Sequence, residues 1–247
     1  MQYPILLVIL FFLSSTQVVL GDELPGEDLF NGVDFEGWRI VANGDAAPAV
    51  VEDGEMVLRQ RINTAEHTFV SSEKKYRDFI LEVDLKADAG FNSGILLRCV
   101  DTAAEAKVRL HGYQVKIDNT DRAWTGGVFD DYGAGWKWMF DLKDDARARR
   151  AFKLGEWSHL RIECVGQSIK VWVNDVPTCN LIDAKYKEGY IAFKIHSLGN
   201  QPNATKQTIR LKNIRIITDR PERFAETMDL VARPARDTPS DSDKPLP

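Results

Sequence analysis

Apolar and polar residues alternate along several short segments of this chain, and this alternation limits the folds open to it more than any other feature. In segment 80–86, leucine or valine takes every second position, and charged residues lie between them. The same period recurs in segments 113–118, 160–165, 168–173, 189–196 and 209–217. Successive side chains of a strand point to opposite faces of a sheet, so each segment has one apolar and one polar face. Many such segments separated by turn residues predict an all-β, antiparallel sandwich of two sheets rather than βαβ units.

Local signals refine this prediction. Gly166-Gln167 separates two alternating segments and predicts a hairpin, and the phase of the last segment shifts near Asn213, which predicts a bulge. Asn92-Ser93-Gly94 predicts a turn. Segment 141–150 is rich in charge and lacks an apolar stripe, so we expect at most a helical turn in a surface loop.

The two ends of the chain differ from its middle. The apolar run at 5–13 is too short to span a bilayer and is typical of a secretory signal, with Val19 and Gly21 as the small residues before the cleavage point. A buried N-terminal strand is the alternative. We therefore expect a signal peptide at 1–21 and export to the periplasm, cell surface or medium. A leader at 22–27, one β domain at 28–220 and a tail at 221–247, disordered from about 235, would follow.

Composition narrows the class of partner. The net charge is −5, and no basic run interleaved with aromatic residues occurs, so nothing favours nucleic acid; no membrane span is expected in the mature chain. The three cysteines have no zinc-site spacing. Either Cys164 and Cys179 form a disulfide bridge, or Cys99, Cys164 and Cys179 are all buried thiols.

A series of motifs resembles the 3-keto-disaccharide hydrolase family in order and spacing across about residues 28–218. The motifs are Leu29-Phe30-Asn31-Gly32 with Gly37-Trp38, 92–95 with Arg98, 112–118 with Thr125-Gly126-Gly127, Gly155-Glu156-Trp157 with 169–174, 189–196 and 212–216. The resemblance implies a concanavalin A-like jelly roll and a hydrolase or lyase activity on 3-keto-glycosides. Three positions depart from the family: Gln114 replaces its usual Glu, and Lys116 and Lys194 replace its usual Gln.

The polar phase of the strands supplies a candidate site. If the strands share one sheet, a mixed set of donors and acceptors suited to sugar hydroxyls lines one concave face: Glu82, Arg98, Gln114, Lys116, Asp118, Lys194 and His196. Aromatic rings that could stack on a sugar follow in the segment 120–140: Trp124, Tyr132, Trp136 and Trp138. Glu82, Arg98, Gln114 and the four rings are the predicted substrate-binding residues.

The resemblance also implies chemical roles. A ketone at C3 of a sugar makes the C2 proton acidic, so the site needs a base, and we expect His196 or Asp118 in that role. Lys116 and Lys194, with Arg98, would stabilise the enolate. No cofactor is firmly expected. A divalent cation held by Glu82 or Asp118 with His196 is left open, although two ammonium groups on the same face would repel it.

Simpler explanations exist for each residue. Glu82 and Arg98 could form an ion pair, Asp118 could hold a turn, and His196 could be structural. Two other functions also remain: a non-catalytic carbohydrate-binding module, which Gln114 in place of Glu favours, and a structural or cell-surface interaction protein. A carbohydrate is the expected ligand or substrate.

Overall fold

Two β-sheets make up nearly the whole structure. The computed structural model describes residues 25–42, 44–62, 66–102, 110–131, 137–199 and 207–236. The nine-stranded sheet runs through β16 (Arg233–Pro234), β13 (Val176–Ile182), β12 (Ser168–Val173), β11 (Ser158–Val165), β6 (Phe79–Ala87), β15 (Thr208–Ile217), β4 (Glu55–Arg59) and β3 (Ala49–Glu52), with β1 (Glu27–Asp28) paired to β15. The seven-stranded sheet runs through β10 (Lys137–Phe140), β9 (Val128–Asp131), β8 (Leu110–Asp118), β7 (Asn92–Asp101), β14 (Tyr190–Ile195), β5 (Thr68–Ser72) and β2 (Trp38–Val41).

The core lies between the sheets and is built from the apolar phase of the strands. Leu81, Val83 and Leu85 of β6 are fully buried in it, as are Val115 of β8 and Phe193 of β14 from the other sheet. The predicted two-sheet sandwich is therefore confirmed. Burial of the apolar phase inside also means that the polar phase of each strand points away from the core.

Most local predictions agree with the structure. β11 and β12 form a hairpin that closes at Gly166-Gln167, and the pairing of β15 with β6 shifts between Lys212 and Arg215, around Asn213 with φ 50°. The helical segment is the single turn α1 (Ala146–Arg149). The predicted turn at Asn92-Ser93-Gly94 is wrong, because Asn92 already begins β7 and Gly90, with φ 76°, makes the turn before it.

The ordered chain continues past 220, the predicted end of the domain. A 3-10 turn (Pro221–Arg223) follows, and β16 then pairs with β13 in the parallel direction. The predicted signal peptide 1–21 and residues 237–247 lie outside the described residues. Among the described residues, no helix is long and apolar enough to cross a membrane.

The three cysteines are free and buried, as in the buried-thiol alternative. Burial disfavours the charged thiolate and raises the pKa of Cys164 to about 12, so this thiol stays protonated at neutral pH.

Candidate functional site

Strand register places the polar residues of β8 and β14 on the outer face of the seven-stranded sheet. Ile95 pairs with Val115 and with Phe193, and all three side chains lie in the core. One residue earlier, Gly94 pairs with both Lys116 and Lys194, which therefore point to the other side. Two strand spacings separate the backbones of the two lysines, roughly 10 Å.

Both lysines are buried although they lie on the outer face. Lys116 is 8% exposed and Lys194 is 3% exposed. Lys116 Nζ donates to Asn92 Oδ1 at 2.7 Å and lies 5.8 Å from the centre of the Phe129 ring. Charges removed from water act more strongly on nearby groups, so these two ammonium groups can stabilise negative charge that develops on a ligand at this face.

Gln114 precedes Lys116 by two residues on β8, and its side chain lies over Gly94, the residue between the two lysines. Its side chain covers Gly94 so closely that a Cβ there would lie 2.4 Å from Gln114 Cγ, which explains why glycine is needed. Gln114 Nε2 donates to the backbone carbonyl oxygen of Ser93 at 3.0 Å, whereas no described residue donates to the buried Oε1 of Gln114. The amide can accept a hydrogen bond from a ligand hydroxyl but cannot transfer protons as a carboxylate would.

His196 extends the same face, and it has a partner that the sequence did not reveal. Ile195 pairs with Thr68, and one residue further the rings of His196 and His67 lie 4.3 Å apart. His196 Nδ1 donates to the backbone carbonyl oxygen of Ser197 at 2.8 Å. His67 precedes β5, and only knowledge that β5 pairs with β14 would have placed it here. We call the surface formed by His67, Lys116, Lys194 and His196 the lysine–histidine face.

Asp118 lies on this face, but its carboxylate is held by its own turn. Oδ1 accepts from the Thr120 hydroxyl at 2.7 Å, and Oδ2 accepts from Arg122 Nε at 2.7 Å. Burial raises the pKa of Asp118, but these two hydrogen bonds and the charges of Arg122 and Lys116 outweigh it, and the pKa is lowered overall. A carboxylate held ionised in this way is a weak base. Its contacts match the alternative prediction, that Asp118 holds a turn.

Two predicted residues lie elsewhere. Glu82 belongs to β6 of the nine-stranded sheet, where Oε1 accepts from Arg161 Nη1 at 2.6 Å, so its predicted place on the same face is wrong. Arg98 sits at a bulge in β7 with φ 48°, which turns its side chain away from the lysines. Its guanidinium is bound by Asp78 and by carbonyl oxygens of the sandwich end instead. The two residues therefore form no ion pair with each other.

The structure also changes the prediction that aromatic rings of segment 120–140 stack on a sugar. Trp124 and Trp138 are buried and pack edge to face with ring centres 4.8 Å apart, and the Arg122 guanidinium lies over both rings. Neither ring offers an open face to a sugar. Tyr132 and Trp136 lie outside the described residues.

The described residues contain no group of three or more histidine, cysteine or acidic side chains that could hold a metal ion. Glu82 cannot join His196 in such a group, because the two lie on different sheets. A divalent cation bound by this protein stays a prediction from the sequence.

Comparison with known proteins gives a family match and a fold. The model of the 3-keto-alpha-glucoside-1,2-lyase-like domain matches residues 26–217. A protein assigned as a glycosyl hydrolase from Parabacteroides distasonis ATCC 8503 is 20% identical, with 77% of this chain and 92% of that chain covered and a TM-score of 0.55. The carbohydrate-binding module CBM66 from Bacillus subtilis is 17% identical (72% and 93% covered, TM-score 0.52), and the β-glucanase of Bacillus licheniformis is 16% identical (78% and 97% covered, TM-score 0.51). These likenesses show the jelly-roll fold alone. Comparison with curated proteins finds no match.

Proposed function

Because the chain belongs to the 3-keto-alpha-glucoside-1,2-lyase-like family, we propose that it cleaves glycosides that carry a ketone at C3 of a sugar. The observation that supports this proposal is the register that sets Lys116 and Lys194 on one face, with His196 one residue beyond the end of β14. A base and two buried cations on one surface are what an elimination through an enolate needs.

The reaction would proceed in balanced steps. His196 takes the proton from C2, and the electron pair of that C–H bond forms the enolate with the C3 oxygen. The enolate then collapses to restore the C3 ketone, a double bond forms between C1 and C2, and the bond from C1 to the leaving oxygen breaks. That oxygen takes a proton, and water adds hydroxyl at C1 and hydrogen at C2 to complete a net hydrolysis.

The lysines would supply the electrostatic part of this mechanism. Negative charge grows on the C3 oxygen as the C2 proton leaves, and buried ammonium groups stabilise it without reorganisation of water. The route does not need the paired carboxylates of ordinary glycosidases. That is consistent with Asp118, which is held by Arg122, and with Glu82, which lies on the other sheet.

The test is release of 3-ketoglucose from 3-keto-trehalose and methyl 3-keto-glucosides by the purified protein, with and without a chelator. His196→Ala should lower kcat by about 10²–10⁴-fold, and Lys194→Met by about 10²–10³-fold. His159→Ala is the matched control, because His159 contacts Asp84 on the nine-stranded sheet and should leave turnover unchanged. No release of 3-ketoglucose from any 3-keto substrate by folded protein would contradict the proposal.

A non-catalytic carbohydrate-binding module is the second candidate. One observation favours it: a buried amide, Gln114, stands where the family usually has a carboxylate. Binding of a 3-keto-glycoside or another glycan without turnover would support this candidate. In either case the apolar run at 5–13 supports export of the protein, which N-terminal sequencing of the secreted chain would test.

A further inference from the structure

The backbone of Ser197 holds the two imidazoles of the lysine–histidine face in opposite ways. Its N–H donates to His67 Nδ1 at 3.0 Å, and its carbonyl oxygen accepts from His196 Nδ1 at 2.8 Å. A ring nitrogen that accepts an N–H carries no proton, and one that faces a carbonyl must carry one. The hydrogen bond at one ring nitrogen therefore fixes the state of the other.

The two neutral rings consequently differ at the nitrogen far from Ser197. His67 carries its proton on Nε2 and can donate there, whereas His196 carries its proton on Nδ1 and has a basic Nε2. A second proton on His67 would have to go to Nδ1, which already accepts the N–H of Ser197, so this hydrogen bond favours the neutral ring. The ring centres are 4.3 Å apart, which puts a donor and a base side by side.

We propose that His67 is a second functional imidazole of this site, a neutral hydrogen-bond donor through Nε2–H that acts beside the basic Nε2 of His196. The inference rests on the proposed function and deepens it. His196 takes the C2 proton while His67 donates a hydrogen bond to the C3 oxygen, which lies on the neighbouring carbon. His67 keeps its proton throughout, and the proton on His196 Nε2 is then available for the leaving oxygen, so no net proton is lost.

In this arrangement the ammonium group of Lys194 and the N–H of His67 stabilise the enolate in different ways. Lys194 is two residues before His196, which directly follows β14, and so lies about 7 Å away along the same face. The lysine provides a field over the whole ring of the sugar, whereas the Nε2–H of His67 selects one oxygen. Phe69, which is buried and pairs with Lys194, packs nearly perpendicular to the His67 ring with ring centres 6.5 Å apart.

The first test needs no substrate. The chain has four histidines, so the ¹⁵N spectrum of the imidazoles can be assigned with single variants. At about pH 8, above the ordinary pKa of histidine, His67 should carry its proton on Nε2 and His196 on Nδ1. A proton on Nδ1 of His67, or the same tautomer in both rings, would overturn the proposal.

The second test separates the hydrogen bond that His67 donates to the substrate from the one that it accepts from Ser197. In His67→Asn the side-chain oxygen can still accept the Ser197 N–H, but the donor at the tip is lost; in His67→Gln the longer amide keeps a donor near the Nε2 position. His67→Asn should lower kcat on 3-keto-glucosides by about 10²-fold with little change in KM, and His67→Gln should retain more of kcat. Wild-type kcat in His67→Asn, with its fold confirmed by thermal melting, would refute the donor role.

The two hypotheses fail in different ways. If the wild-type protein releases nothing from any 3-keto substrate, the proposed function fails, and addition of methyl 3-keto-glucoside to the ¹⁵N-labelled protein still tests the pair. Shifts of the His67 and His196 nitrogens would support a ketone-binding imidazole pair. Unchanged shifts of both rings at saturating ketone would overturn it.

Discussion

Asp118 illustrates how contacts decide the chemistry of a single residue. The sequence placed it on the polar phase beside Lys116, and the register confirms that position. Its oxygens, however, are already used by Thr120 and Arg122, and its pKa is lowered despite burial. Because the folded state favours the ionised form, the carboxylate should contribute to stability rather than to proton transfer.

Asp118→Asn should therefore lower the free energy of unfolding by about 1–3 kcal/mol near pH 7. The folded pKa lies below the unfolded value of 3.8, so the contribution is complete above that value and is lost as the pH falls through the folded pKa. The difference between wild type and variant, measured by urea unfolding, should shrink below about pH 4.

Asp219→Asn is the control for this prediction, since the Asp219 side chain is 87% exposed and its removal should change stability by no more than about 0.5 kcal/mol. If Asp118→Asn abolished turnover and left the free energy of unfolding unchanged at every pH, Asp118 would be the catalytic base instead of a stabilising residue.

At the scale of elements, alternation predicted where strands lie but not which sheet each strand joins. The segments around Glu82 and Gln114 have the same period, yet β6 and β8 belong to different sheets, and the sequence pattern carries no trace of that division. The side of Arg98 could not be predicted either, because one extra residue in a bulge reverses the phase of all residues beyond it. Lys116 and Lys194 were placed together correctly because β8, β7 and β14 are neighbours and pair in regular register around Gly94, and His196 follows directly after β14.

The bulge at Arg98 should be one of the least tolerant points of the fold. The side chain is 1% exposed, and its guanidinium donates to the oxygens of Arg77, Gly166 and Tyr186 and to Asp78. Arg98→Lys keeps the charge but has no planar fork to reach these acceptors, and it should lower the free energy of unfolding by about 2–4 kcal/mol.

Arg147→Lys is the matched control, because Arg147 is 66% exposed and lies 3.9 Å from Asp229. Chemical denaturation should show almost no change for this variant. Equal midpoints for the Arg98 and Arg147 variants would mean that the buried fork contributes nothing to stability.

For the whole molecule, the sequence did not reveal how the C-terminal segment, described up to residue 236, contacts the sandwich. The proline and charged residues of 221–247 predicted a tail that is disordered from about 235, and the described part of this segment makes backbone contacts with the sandwich. Arg161 and Asn180 of the nine-stranded sheet donate to the oxygens of Phe224 and Leu230, and Arg236 donates to the oxygen of Trp138 in the seven-stranded sheet. Contacts made through main-chain oxygens leave no pattern in the side chains, so sequence analysis could not detect them.

Removal of this segment should consequently destabilise the whole sandwich. A chain ending at residue 218 would expose the ion pair of Arg161 and Glu163, which is covered by the backbone of Phe224 and Glu226, and would release the link between the sheets. We expect the Tm to fall by about 5–10 °C, because 1 kcal/mol corresponds to roughly 2–4 °C in a chain of this size. A chain ending at residue 236 keeps all these contacts and is the matched control against which the fall in Tm is measured. Equal melting of the 218 and 236 chains would show that the segment only rests on the surface, and the domain would then end near 220, where composition alone predicted it.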